Sequence, residues 1–227
     1  MEKAIVLVSG GLDSYVTAHY VKKRLEREVK LLFFDYGQKA LEEELWSVKN
    51  LAKELDCELE IVKLPWLGKI STSFINKEGG GENKISDWYV PCRNSIFLIS
   101  ALAFAESYFI KTGEESEIYL GIKYEGELRF KDTTKEFIEN MNELSKETTQ
   151  RGFKIIAPFI DKDKEDIIEL GEEMGIDLSK SYSCYLGAKR YVGASFPLAH
   201  CGKCAGCLAR KKGFKFSKVE DKTVYLD

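Results

Sequence analysis

Several residue types are scarce in this 227-residue chain, and each scarcity removes an explanation. Only two histidines occur, His19 and His200, so a histidine-based catalytic triad has little to build on. Four prolines and no low-complexity tract exclude a proline-rich or collagen-like chain. Gln38 and Gln150 are the only glutamines while Lys and Glu abound, a balance that suggests a heat-adapted source and says nothing of activity. A dominant charge is missing too. Lys and Arg number 34 against 37 Asp and Glu, a net charge of −3, which argues against attachment to nucleic acid or a membrane by bulk charge. Neither a Gly-Lys-Ser/Thr phosphate loop nor a Gly-x-Gly-x-x-Gly dinucleotide fingerprint occurs. What is present is a 44% apolar, 12% aromatic and 31% charged composition, enough for a substantial core in one large domain or a domain with a small appendage.

Ala4-Ile5-Val6-Leu7-Val8 is a continuous apolar run suited to a parallel strand buried on both faces. Strands are expected again at 29–34, 58–64, 117–121 and 153–157, alternating with helices at about 39–55, 93–111, 132–147 and 164–174. This rhythm predicts a doubly wound, mostly parallel five-stranded α/β sheet over residues 1–175. Residues 65–92, with Pro65, Pro91 and three consecutive glycines, read as a long mobile functional loop. The segment 93–111 is apolar almost all round. Ser100, Glu106 and its short length favour a packed core helix over a membrane span.

Residues 176–227 break the rhythm and carry four of the six cysteines. Met1-Glu2-Lys3 runs straight into the first strand without a secretory leader pattern, so a cytoplasmic protein is expected and clustered thiols point to metal, not disulfides. Cys201, Cys204 and Cys207 recur at intervals of three among glycines, and Cys184 supplies a fourth thiolate. Four sulfurs close the shell of a structural Zn²⁺, making 176–227 a small zinc-binding appendage. An iron–sulfur cluster, or His200 in place of Cys184, are the alternatives. Cys57 reads as core filling, and His19 as packing or surface.

Ser9-Gly10-Gly11-Leu12-Asp13-Ser14 follows the first strand where a helix begins. Glycines let backbone N–H groups approach an anion, the two serines add hydroxyls, and the helix start adds a positive dipole end. Asp13 could cap the helix or approach Mg²⁺. An ordinary capped turn is the bland alternative. Asp35, Tyr36 and Gln38 at the end of the second strand suit an adenine or ribose rim; a turn capping the next helix is the alternative. Arg93 can pair with a carboxylate or phosphate, and Asn94 can cap its helix. Lys164 stands in a first helical turn, against the dipole preference, which is easier to rationalise if it serves a phosphate; a solvated lysine is the alternative.

The string at 9–14 resembles the pyrophosphate loop of the N-type ATP pyrophosphatases (PP-loop enzymes), which activate a carbonyl group as an adenylate. Phe-Asp-Tyr-Gly-Gln at 34–38, Val-Pro-Cys-Arg-Asn at 90–94, Pro158 with Lys164, and the cysteine tail together resemble the 7-cyano-7-deazaguanine synthase (QueC) family over nearly the whole chain. The resemblance implies a cytoplasmic, ATP-dependent C–N ligase. It would convert 7-carboxy-7-deazaguanine and ammonia to 7-cyano-7-deazaguanine (preQ0), the queuosine precursor, through adenylated carboxylate and amide intermediates.

It further implies Mg²⁺ with ATP, a structural Zn²⁺ on Cys184, Cys201, Cys204 and Cys207, and a homodimer. ATP falls to Val8, Ser9, Gly10, Gly11, Leu12, Asp13, Ser14, Asp35, Tyr36 and Gln38. Asp13, Arg93 and Lys164 are the catalytic candidates, and Arg93, Asn94, Glu125 and Glu127 the substrate-binding ones. Two departures stand out: residues 121–131 replace the family's usual stretch after the fourth strand, and the spacing from Cys184 to Cys201 is longer than usual. They keep open a relative that transfers the activated acyl group to another acceptor, such as a protein amine. A tRNA-thiolating PP-loop enzyme with Cys92 carrying sulfur is also open. A zinc-knuckle nucleic-acid module is disfavoured by the balanced charge and the intact loop.

Overall fold

A computed structural model describes residues 2–77, 85–123, 130–187 and 198–226. Five strands form one sheet: β1 (Lys3–Val8), β2 (Glu28–Asp35), β3 (Glu58–Lys63), β4 (Ser116–Leu120) and β5 (Ile155–Ile156). Their spatial order is β3-β2-β1-β4-β5 and every pairing is parallel. The helices are α1 (Leu12–His19), α2 (Leu41–Leu55), α3 (Pro65–Ile70), α4 (Arg93–Thr112), α5 (Lys135–Thr148), α6 (Lys164–Glu173) and α7 (Ala205–Ser217).

Side chains alternate across a strand, so β1 and β2 feed two cores. Ile5, Leu7, Leu32 and Phe34 pack with Leu98, Ala101 and Leu102 of α4 and Met141 of α5. Val6, Val8, Leu31 and Phe33 pack on the opposite face with Tyr15, Val16, Leu51 and Ile167 from α1, α2 and α6. This is the doubly wound α/β sheet expected from the sequence. Cys184, Cys201, Cys204 and Cys207 join the first core, and Phe214 of α7 joins the second. The strand order reverses at β1: the chain runs outward through β2 and β3, then returns to place β4 on the other side. A crevice opens at the carboxyl ends of β1 and β4, where parallel α/β sheets bind ligands.

Two expectations are corrected. The stretch 65–92 is not a structureless loop in its described part. Pro65, preset for a first helical turn, opens α3; Leu67 is fully buried; and a 3₁₀ turn spans Ile85–Trp88. Neither element is long enough to show a period. The helix α4 has the length and composition of a membrane span, yet it is not buried all round. Leu98, Ala101, Leu102 and Ala105 pack on the sheet, while Ile99 and Ile110 are 52% and 63% exposed. After His19, α1 passes into a π-helical turn, Tyr20–Arg24.

His19 is fully buried between these layers, with the Glu54 carboxylate 3.7 Å from Nε2. Burial, with Lys23 and then Lys180 nearby, pushes its pKa down to about 4, against the opposing pull of Glu54. The unfolded chain takes up this proton near pH 6.5, the folded chain only near pH 4. Stability is therefore fully present above about pH 6.5 and is lost as pH falls toward 4. Urea unfolding should show about 2 kcal/mol of this loss between pH 7 and pH 5. His19→Leu should flatten the slope over that interval; an unchanged slope would refute the assignment.

Candidate active site

The loop between β1 and α1 is braced from within. Ser14 Oγ accepts from the Ser9 N–H at 3.1 Å and donates to the Gly11 carbonyl at 3.0 Å. Gly10 has a φ of 78°, and a Cβ there would stand 2.9 Å from the Glu44 carbonyl oxygen, so only glycine fits both the conformation and the space. The Gly10 carbonyl turns away from the crevice. It accepts from the Tyr182 N–H at 2.7 Å and lies 3.0 Å from Ser47 Oγ. On the other side Gly121, just past β4, abuts the start of α1: a Cβ would meet Ser14 Cα and N at 2.7 Å.

The crevice is a cavity of about 320 Å³. Its wall brings together Val8, Ser9, Gly11, Leu12, Asp13, Ser14, Tyr36, Gln38, Arg93, Asn94 and Lys164. Gly10 and Asp35 are not on that wall. Asp35 Oδ1 instead accepts from the Gly37 N–H at 3.2 Å, within its turn. Glu125 and Glu127 lie outside the described residues.

Asp13 and Lys164 meet each other: Lys164 Nζ lies 2.8 and 2.9 Å from the two carboxylate oxygens. Arg93 donates to the Tyr36 hydroxyl at 3.5 Å. Gln38 lines the cavity but spends its amide on the protein, accepting from the Tyr36 N–H at 2.9 Å and donating to the Phe34 carbonyl at 3.0 Å and to Glu44 Oε2 at 2.9 Å. Asn94 Nδ2 donates to the Asp132 carbonyl at 2.9 Å.

Sequence reasoning missed Glu44. Its carboxyl faces the cavity, and burial pushes its pKa up to about 8 against the pull of the Gln38 amide and Arg93. Phe34 and Phe97 stack at 4.1 Å, and with Trp88, Phe130 and Tyr185 they give the cavity flat aromatic walls. Such walls suit a planar heterocycle.

The four thiols of Cys184, Cys201, Cys204 and Cys207 are buried, and their sulfurs all lie within 4.8 Å of one another. The pairs 201–207, 184–204 and 204–207 are 3.8, 3.9 and 3.4 Å apart. A tetrahedron with metal–sulfur bonds of about 2.3 Å has edges of about 3.8 Å, so the donor set fits a tetrathiolate metal. Backbone N–H groups of Cys204 and Tyr185 point at Cys201 Sγ and Cys204 Sγ at 3.3 and 3.4 Å. His200 is not a ligand: Nε2 accepts from the Ser183 N–H and Nδ1 contacts the Leu198 carbonyl oxygen, each at 2.9 Å.

Arg210, also missed, is fully buried on α7. It donates to Thr223 Oγ1 at 2.8 Å, Ser181 Oγ at 2.8 Å, Ser183 Oγ at 3.0 Å and the Leu178 carbonyl at 2.7 Å. A single guanidinium thereby joins the segment before Cys184, the helix after Cys207 and the end of the chain.

A glycine–serine loop at the switch point of a parallel sheet, flanked by a lysine–aspartate pair and a cluster of four cysteines, defines an α/β protein with its candidate site at the carboxyl ends of β1 and β4. The chain belongs to the QueC family, whose sequence model, described as queuosine biosynthesis protein QueC, matches residues 3–218. The chain is 36% identical over 244 residues to the 7-cyano-7-deazaguanine synthase of Methanocaldococcus jannaschii, spanning 99% of this chain and 100% of that protein. It is 34% identical over 238 residues to the synthase of the same name from Methanosphaera stadtmanae, spanning 98% of each. Among solved structures, the U34-tRNA thiolase NcsA of Methanococcus maripaludis aligns with 99% of this chain and 84% of that chain, at a TM-score of 0.48 and 15% identity.

Cys92 is exposed, caps α4 with a left-handed φ of 54°, and is off the cavity wall. A non-glycine residue is strained there. Cys92→Gly should raise stability by about 0.5–1 kcal/mol in urea unfolding and leave turnover unchanged. Loss of turnover in the folded variant would give the thiol a chemical role.

Proposed function

We propose that this chain is a 7-cyano-7-deazaguanine synthase, an enzyme that uses ATP to turn 7-carboxy-7-deazaguanine and ammonia into preQ0. The carrying observation is similarity to synthases of that name over essentially the full length of both chains. Two adenylation rounds account for the chemistry. The substrate carboxylate attacks the α-phosphorus of ATP and pyrophosphate leaves; ammonia displaces AMP to give the amide. The amide oxygen is then adenylated in turn, and loss of AMP and protons leaves the nitrile. No protein nucleophile is required.

In this reading the loop from Ser9 to Ser14 receives the pyrophosphate, Ser9, Gly11 and Ser14 exchanging their bonds within the loop for bonds to it, with Gly10 setting the turn. Lys164 and Arg93 offset charge that builds in the transition state. Asp13 holds the lysine in place and is the carboxylate nearest the loop for Mg²⁺, which neutralises phosphate charge when bound. The aromatic walls take the flat rings, and Glu44, kept largely protonated near neutral pH, adds little negative charge to a pocket that receives anions. Zn²⁺ in a closed four-thiolate shell serves structure, not chemistry. The substrates are small molecules and the expected compartment is the cytoplasm. We also infer a homodimer, for which the exposed apolar stripe of Ile99 and Ile110 on α4 offers surface.

Purified protein given ATP, ammonium and 7-carboxy-7-deazaguanine should yield the nitrile, with AMP and pyrophosphate, by mass analysis. AMP without nitrile, or no nucleotide turnover, would overturn the reading. Lys164→Ala should lower kcat by about 100-fold or more while leaving the fold intact. Metal analysis should find about one zinc per chain, and a clearly substoichiometric value would remove the tetrathiolate assignment.

A further inference from the structure

Lys164 enters the site along a constrained path. Its Cα belongs to the first turn of α6, a poor place for a cation because the helix start is already positive. That turn is fixed by the bond from the Asp163 N–H to Asp166 Oδ2 at 3.0 Å and by the buried Ile167 and Ile168. The far end of the side chain is held by Asp13. Between these fixed ends the methylene stem lies against α7 at Gly213. A Cβ built on Gly213 would stand 2.7 Å from Lys164 Cγ, 3.2 Å from Cδ and 2.9 Å from Ile168 Cδ1. Cδ1 of Ile168 is a free methyl end and can yield. Cγ of Lys164 sits mid-stem and cannot move without dragging the ammonium off Asp13.

Gly213 is buried in the interior of a 13-residue helix, where glycine is a poor choice relative to alanine. A packing reason is needed, and the lysine stem supplies it. The register of α7 is set by Cys204 and Cys207 at its start and by Arg210 one turn before the glycine.

We infer that Gly213 is a positioning residue for Lys164: its missing side chain is the slot through which the lysine reaches the phosphate loop. The catalytic consequence rests on the function proposed above; the geometric claim does not. In full-length, metal-loaded protein, Gly213→Ala should free the amine from Asp13. Acetylation of Lys164 by an N-hydroxysuccinimide ester, followed by peptide mass spectrometry, should become several-fold faster while other lysines are unaffected. Turnover should fall about 10- to 100-fold in kcat, more than KM for ATP changes, as expected for a misplaced catalytic group.

A second measurement separates positioning from general damage. In a Lys164→Ala background the stem is gone, so adding Gly213→Ala should raise the unfolding midpoint, as helix propensity dictates. With Lys164 present, the same change should lower it or fail to fold. Unchanged labelling and kcat in Gly213→Ala, or the same shift in midpoint with and without Lys164, would overturn the inference. Faster labelling in a protein whose wild type forms no nitrile would uphold the positioning and remove only the proposed reaction.

Discussion

The carbonyl of Gly10 is the junction on which the site depends. It is oriented by a left-handed glycine, and it accepts the Tyr182 backbone N–H at 2.7 Å with Ser47 Oγ 3.0 Å away. The same Ser47 hydroxyl lies 2.8 Å from the Lys180 carbonyl. One peptide group of the glycine–serine loop is thus tied to α2 and to the segment that runs into Cys184. With this carbonyl turned outward, the neighbouring groups brace one another: the Ser9 N–H donates to Ser14 Oγ, the Gly11 N–H to Ser9 Oγ and the Ser14 hydroxyl to the Gly11 carbonyl. Fixed dipoles need no reorientation when charge develops beside them, so a loop braced in this way meets the need for preorganisation that an electrostatic site has.

Charge inside that cavity is arranged around the same need. Lys164 pairs with Asp13, Arg93 leans on the Tyr36 hydroxyl, and Glu44 is held near neutrality by burial. Interactions of this kind strengthen as water is excluded. The aromatic walls of the cavity therefore also sharpen the electric fields of these groups. Gln38 contributes rigidity, since its amide bridges Phe34, Tyr36 and Glu44.

Features written contiguously along the chain were legible in its sequence. The apolar run at β1, the glycine–serine string after it and the cysteine intervals each carry their meaning within a few residues. Features made by distant residues were not. Asp13 and Lys164 are 151 positions apart, and their pairing is a product of sheet topology. Glu44 hides in the run Glu42-Glu43-Glu44, where Glu43 is the more buried residue and only the fold shows that Glu44 lines the cavity. Arg210 opens Arg-Lys-Lys, which reads as a solvated charge run until Ser181, Ser183 and Thr223 are seen to enclose its guanidinium. The outer face of α4 failed for a related reason: hydropathy counts apolar residues but does not say which of them the sheet covers.

The metal knuckle follows from the same logic of distant partners. The thiols of 184, 201, 204 and 207 sit in one apolar cluster with Leu7 of β1 and Leu98 of α4, so closing the thiolate shell closes part of the core as well. Metal binding by such a set contributes folding free energy directly. Cys184 is two residues past Tyr182, whose N–H holds Gly10, and Cys207 is one turn before Arg210 on the helix that lies against Lys164. Each end of the cysteine cluster is therefore one short covalent path from one side of the cavity: the glycine–serine loop on one side, the lysine on the other. The cysteine cluster thereby helps to set the geometry of the cavity, because the segment that holds Gly10 and the helix that lies against Lys164 both run directly into it.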